Sequence, residues 1–115
     1  IDARGFIFGS CVAKALKKPL VLARKKNKLP GKVIQGEYGL EYGKDALSIQ
    51  DSAISSFKKF VICDDLLATG GTSKCVVNML KNKNKEVLAL SVIIELKDLK
   101  GSEGLDIPVY SEVVY

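Results

Sequence analysis

Val61-Ile62-Cys63-Asp64-Asp65-Leu66-Leu67-Ala68-Thr69-Gly70-Gly71-Thr72 is the stretch from which this chain is best read. An apolar strand over Phe60–Cys63 ends in two adjacent carboxylates. A short loop follows, and a helix is expected over Thr72–Asn82. In open α/β sheets, ligands bind beyond the carboxyl ends of the strands, where such a loop lies. Paired glycines let backbone N–H groups turn toward an anion. A helix N-terminus adds unpaired donors and partial positive charge, which suits a phosphate. Thr69 and Thr72 carry hydroxyl donors for the same oxygens. Asp64 and Asp65 would repel a phosphate, but carboxylates accept hydrogen bonds from vicinal ribose hydroxyls. Asp64, Asp65, Ala68, Thr69, Gly70, Gly71 and Thr72 therefore form a candidate site for a ribose 5-phosphate. The competing explanation is a helix cap by Thr69 or Thr72. A cap accounts for one threonine and leaves the two acids unexplained.

Outward from this stretch, strand and helix patterns alternate. Ile1-Asp2 reads as the tail of a strand and Phe6–Lys18 as a helix with Val12, Ala15 and Leu16 as its apolar face; Pro19 lies just beyond. Leu20–Ala23 reads as a short buried strand. Residues 24–32 form a basic loop with a turn at Pro30-Gly31, and residues 33–42 are extended and exposed. Ala46–Gln50 alternates like a strand, and residues 51–59 connect it onward with one helical turn. Val76, Val77, Met79 and Leu80 give the second helix its apolar face. Glu86–Leu96 and Val109–Val114 complete the strands. This alternation predicts an α/β fold with a mainly parallel twisted sheet flanked by helices.

The 115 residues allow one domain, and 47% apolar residues are enough for one core. No apolar run approaches the roughly 20 residues of a membrane span. Ile1-Asp2-Ala3-Arg4 does not resemble a secretory leader. Three cysteines without a CxxC pair argue against a disulfide framework or a zinc site, and for a reducing cytoplasm. With no histidine, a Ser-His-Asp or Cys-His mechanism within the chain is excluded. Residues 1–32 hold nine Lys or Arg against Asp2 alone, whereas residues 33–115 hold nine against twelve acids. The local excess suggests an anionic ligand as readily as a solvated basic face. Nucleic acid is disfavoured, because no aromatic residues interleave with the basic run. Neither a triphosphate P-loop nor a dinucleotide fingerprint occurs.

Val61–Thr72 resembles the PRPP (5-phosphoribosyl 1-diphosphate) motif of the type I phosphoribosyltransferases. Three further segments resemble the adenine phosphoribosyltransferases among them. They are Ala3-Arg4-Gly5-Phe6-Ile7-Phe8-Gly9, the basic loop Arg24-Lys25-Lys26-Asn27-Lys28-Leu29-Pro30-Gly31, and Tyr38-Gly39-Leu40-Glu41-Tyr42-Gly43. The resemblance covers essentially the whole chain in the expected order. It implies a type I core over residues 1–115, incomplete at its N-terminus. The hood over the purine and most of the first strand are expected to be absent.

The resemblance further implies transfer of the 5-phosphoribosyl group from PRPP to adenine, giving AMP and diphosphate. Arg4, Arg24, Lys25 and Lys28 would meet the diphosphate or the base, and the Asp2–Ala3 peptide would be cis. Glu41 would be the catalytic acid or base, and Tyr42 would help close its loop. Mg²⁺ would arrive mainly on PRPP, with no dedicated metal cage in the protein. A homodimer is also implied. The alternatives are a xanthine- or hypoxanthine-type purine enzyme, and a non-catalytic PRPP-sensing regulator that binds nucleic acid.

Overall fold

A computed structural model of the chain describes residues 1–40 and 42–115. Its elements in order are α1 (Gly5–Leu16), β1 (Arg24–Lys25), β2 (Val33–Leu40), β3 (Gly43–Gln50), α2 (Asp51–Ile54), β4 (Lys59–Leu67), α3 (Gly71–Asn82), β5 (Glu86–Glu95) and β6 (Val109–Val114). Two 3₁₀ turns, Lys97–Leu99 and Gly101–Gly104, lie between β5 and β6.

The strands form two sheets. β4, β5 and β6 run parallel in that order, the arrangement expected of an α/β fold. β1, β3 and β2 form a second, antiparallel sheet, in which β2 and β3 pair along their full lengths from Val33↔Gln50 to Leu40↔Gly43. The extended stretch after residue 32 is therefore one arm of a hairpin. Gly36 and Gly39 break its apolar alternation, so pairing could not be read from pattern alone.

The core fills the space around α3. Val76, Val77, Met79 and Leu80 are all buried, as the spacing predicts, and they pack with Leu47 and Ile49 of β3 and with Ile62, Leu90 and Val92 of the parallel sheet. Gly36 lets β2 approach α3 closely. A Cβ there would lie 2.6 Å from Met79 Cγ and 2.8 Å from Cys75 Sγ.

Two expectations need correction. The stretch 20–23 forms no strand ladder, although Ala23 is buried. Its carbonyl accepts from the Asp2 N–H at 2.9 Å, while the Ile1 nitrogen donates to the Cys63 carbonyl at 2.9 Å. Residues 1–2 thus lie between that stretch and β4. On α1 only Gly5 and Gly9 are buried, and Leu16 is 63% exposed. The helix lies on β4 through its glycines rather than through Val12, Ala15 and Leu16. Cys11, also on this helix, is exposed.

Candidate active site

β4 continues to Leu67, so Asp64 and Asp65 sit inside the strand instead of ending it. Successive strand residues face opposite sides. Asp64 is accordingly the more buried, at 8% exposure, while Asp65 remains partly accessible. The start of α1 presses on Asp64, and a Cβ on Gly5 would lie 2.5 Å from its Oδ1. That oxygen accepts the Asp65 N–H at 2.9 Å. Burial pushes the Asp64 carboxyl up to about 6, against the opposing pull of the Asp65 N–H.

Past Leu67 the chain turns through Ala68, Thr69 and Gly70 into α3. Gly70 is the N-cap, with φ of 85°, and no side chain caps the helix. A positive φ of this size is open to glycine at little cost. Neither Thr69 nor Thr72 acts as a cap, which removes the competing explanation for both. Among the described residues, the N–H groups of Gly70, Gly71, Thr72 and Ser73 enter none of the backbone bonds outside helices and strands. Four donors and two hydroxyls therefore converge at a helix N-terminus.

These residues line a cleft of about 450 Å³. Asp2, Ala3 and Arg4 close one side, and Lys25 and Tyr38 come from the antiparallel sheet. The Asp2–Ala3 peptide is cis, as the resemblance implies. Arg4 Nε lies 2.7 Å from Asp65 Oδ2. Lys25 donates its backbone N–H to Asp2 Oδ2 at 3.1 Å, and its ammonium lies 3.5 Å from Asp45 Oδ2. Tyr38 donates its hydroxyl to the same Asp45 oxygen at 3.2 Å. Burial, then the neighbouring Asp45 charge and hydrogen bond, raise the Tyr38 phenol to about 12. The Ala46 N–H, with Tyr38 and Lys25, lowers the Asp45 carboxyl.

Of the residues singled out from sequence, the cleft thus gathers Arg4, Lys25, Asp64, Asp65 and Ala68 through Thr72. Arg24 and Lys28 do not line it. Arg24 Nε instead lies 3.5 Å from Asp2 Oδ2, and its Nη1 donates to the Lys28 carbonyl at 3.4 Å. Arg24 thereby braces the loop that begins at Asp2. Tyr42 is 93% exposed and outside the cleft, and Glu41 lies outside the described residues. Tyr38 and Ser73 line the cleft without having been singled out. The motif at 38–43 includes Tyr38, but only the hairpin register shows which way it faces.

A second hollow of about 550 Å³ lies among Pro30, Gly31, Lys32, Gln50, Asp51, Ser52 and Ser55. Its charges are already paired, with Lys32 and Lys83 both within 4.0 Å of Asp51. It has neither an acid pair nor a long helix opening onto it, so the smaller cleft is the better candidate.

The phosphoribosyl transferase domain matches residues 1–110. The chain belongs to the phosphoribosyltransferase family. An adenine phosphoribosyltransferase of Prochlorococcus marinus strain AS9601 is 56% identical over 113 residues, covering 98% of this chain and 66% of the relative. Among solved phosphoribosyltransferase structures, adenine phosphoribosyltransferase of Saccharomyces cerevisiae, complexed with an imino-altritol bisphosphate and adenine, superimposes with a TM-score of 0.92 at 36% identity. That match covers 96% of this chain and 63% of the yeast protein. The Trypanosoma brucei enzyme, in complex with AMP, pyrophosphate and ribose-5-phosphate, gives a TM-score of 0.88 at 28% identity, covering 98% of this chain and 53% of its own. The chain spans about two thirds of the length of the curated relatives it matches.

Proposed function

We propose that residues 1–115 are the catalytic core domain of an adenine phosphoribosyltransferase, which converts adenine and PRPP to AMP and diphosphate in purine salvage. The observation that carries this reading is the acid pair beside an uncapped helix N-terminus, both in the cleft that receives Arg4 and Lys25. Support for adenine comes from the relatives that bear that name, among them one at 56% identity. It also comes from the yeast and trypanosomal complexes, whose ligands are adenine in one and AMP, pyrophosphate and ribose-5-phosphate in the other.

In this reading the 5-phosphate accepts hydrogen bonds from the N–H groups of Gly70 to Ser73 and from the Thr69 and Thr72 hydroxyls. Asp64 and Asp65 accept from the ribose hydroxyls, which requires Arg4 to release Asp65. Arg4 and Lys25 then face the diphosphate or base, and Arg24 and Lys28 act from further out. The N9 nitrogen of adenine forms the new bond to the ribose C1 as the bond to diphosphate breaks. Glu41 takes the proton that N9 loses, a role worth roughly 10²–10⁴ in rate. Tyr42 helps close the loop that carries Glu41.

The donors in the cleft suit Mg²⁺. Asp64 and Asp65 offer two carboxylates in the cleft, and magnesium commonly binds through one or two carboxylates together with phosphates and water. When bound, Mg²⁺ would neutralise charge on the departing diphosphate. A homodimer and a cytoplasmic setting complete the proposal. No helix among the described residues is long and apolar enough to cross a membrane.

The test is to incubate the whole protein with PRPP, Mg²⁺ and adenine, hypoxanthine or xanthine in turn, measuring nucleotide and diphosphate. AMP formation with adenine alone is expected. Turnover with hypoxanthine but not adenine contradicts the choice of base, and tight PRPP binding without turnover contradicts the enzyme reading.

A further inference from the structure

The loop Ala68–Gly70 is short of support of its own kind. Among the described residues, Ala68 and Thr69 take part in no hydrogen bond outside regular elements, and the Gly70 carbonyl accepts only within the first turn of α3. Below the loop, at its foot, Leu67 accepts from the Leu96 N–H at 2.9 Å. What meets the loop itself is Gly101, which starts the second 3₁₀ turn and is buried. The approach is mutual. A Cβ on Gly70 would lie 2.5 Å from the Gly101 carbonyl oxygen. A Cβ on Gly101 would overlap the Ala68 carbonyl oxygen and lie 3.0 Å from the Gly70 nitrogen. These are contacts with backbone, which cannot swing aside as a side chain can. Gly101 does not owe its identity to its own φ, because the positive φ of 54° in this segment belongs to Lys100.

We propose that Gly101 is a positioning residue for the phosphate loop, serving as the seat on which Ala68–Gly70 rests. Any side chain at 101 would lift the loop and move the N–H groups of Gly70 and Gly71 off the phosphate oxygens. The 3₁₀ segment from Lys97 to Gly104 is thereby part of the site, although it contributes no lining residue to the cleft. In the proposed reading residues 68–72 meet the 5-phosphate and not the base, so the effect falls on the phosphate end of the substrate. The inference rests on residues 68–72 being the phosphate loop.

The test is calorimetric titration of the whole protein with ribose 5-phosphate, together with steady-state kinetics. Gly101→Ala is expected to weaken ribose 5-phosphate binding and raise KM for PRPP by about tenfold or more, since displacements of about 1 Å can cost up to about a hundredfold. KM for adenine should stay within about twofold. Gly104→Ala, in the same 3₁₀ turn, has no atom within 4 Å of its added Cβ and should change neither value beyond about twofold. Equal KM increases for PRPP and adenine, or unchanged binding in Gly101→Ala, would overturn the seat. Failure of the unaltered protein to bind ribose 5-phosphate would overturn the phosphate loop instead. Should Gly101→Ala not fold, hydrogen exchange on the unaltered protein decides. Ribose 5-phosphate should slow exchange at 97–104 together with 68–73, and slowing confined to 68–73 would overturn the proposal.

Discussion

The β4–α3 wall of the cleft sets four backbone N–H groups beside its carboxylates and hydroxyls, whereas the wall built from β1 and β2 presents its ligand groups from the ends of side chains alone. On the first wall, Gly70 at φ 85° and the uncapped start of α3 fix four N–H groups before any ligand arrives. On the second, Lys25 is exposed and reaches Asp45 at 3.5 Å, and Lys28 does not reach the cleft at all. Fixed donors need no reordering on binding, while a long cation must give up rotamer freedom. Affinity should therefore be concentrated in the backbone wall, and the cations should supply a smaller contribution that salt screens.

The largest effect should come from the backbone wall. Gly70→Ala forces a Cβ against the Gly101 carbonyl at a φ that side chains rarely adopt. Ribose 5-phosphate affinity should fall by about a hundredfold in calorimetry. A loss of less than about threefold would break the contrast between the walls. Next is Glu41→Gln, for which kcat should drop by more than about tenfold in the forward assay. A smaller loss would remove Glu41 from its proposed role.

The acid pair gives a graded test. Buried Asp64 takes up a proton as pH falls through about 6. Its contribution to stability has the opposite sense from that of a salt-bridged acid. It is fully present below the unfolded value of about 3.9 and is lost as pH rises through the folded one. Binding of ribose hydroxyls uses the ionised form, so affinity should weaken below pH 6, by at most about tenfold per pH unit. The ligand phosphate also titrates near pH 6. The Asp64 contribution is therefore the part of the pH profile that Asp64→Asn abolishes, and an unchanged profile would remove Asp64 from the ribose site. The smallest effects belong to the side-chain wall. Lys25→Ala should weaken diphosphate binding by about fivefold or less, more at low salt than at high, and Lys28→Ala by less than Lys25→Ala. A larger loss from Lys28 than from Lys25 would reverse the order that the structure suggests.

How much of this was legible beforehand differs along the chain. Asp64 to Thr72 could be read in outline, because strand, acids, glycines and helix start are consecutive, but the run of the strand on to Leu67 and the approach of Gly101 to the loop are set by distant parts of the chain. The α3 face could be read for the same reason, since helical spacing fixes which residues meet the core. The hairpin could not. Gly36 occupies its place because of Met79 and Cys75, which lie far off in sequence. Leu20–Ala23 has strand composition, but a strand needs a partner, and its bond to Asp2 is set by how the chain folds back. Gly101 carries no local signal, and only its contact with Ala68 and Gly70 gives it meaning. Tyr38 and Asp45 face each other across the hairpin, so their link also waited on its register.

The central claim is that 64–73 is a preformed ribose-phosphate site, and an amide NMR titration with ribose 5-phosphate tests it most directly. The predicted result is saturable shifts at Gly70, Gly71, Thr72 and Ser73, with smaller ones at Asp64 and Asp65, and PRPP, which carries the same 5-phosphate, should shift the same amides. Shifts confined to the hollow around Gly31, Lys32 and Asp51, or none at 70–73 when the ligand is bound, would contradict it.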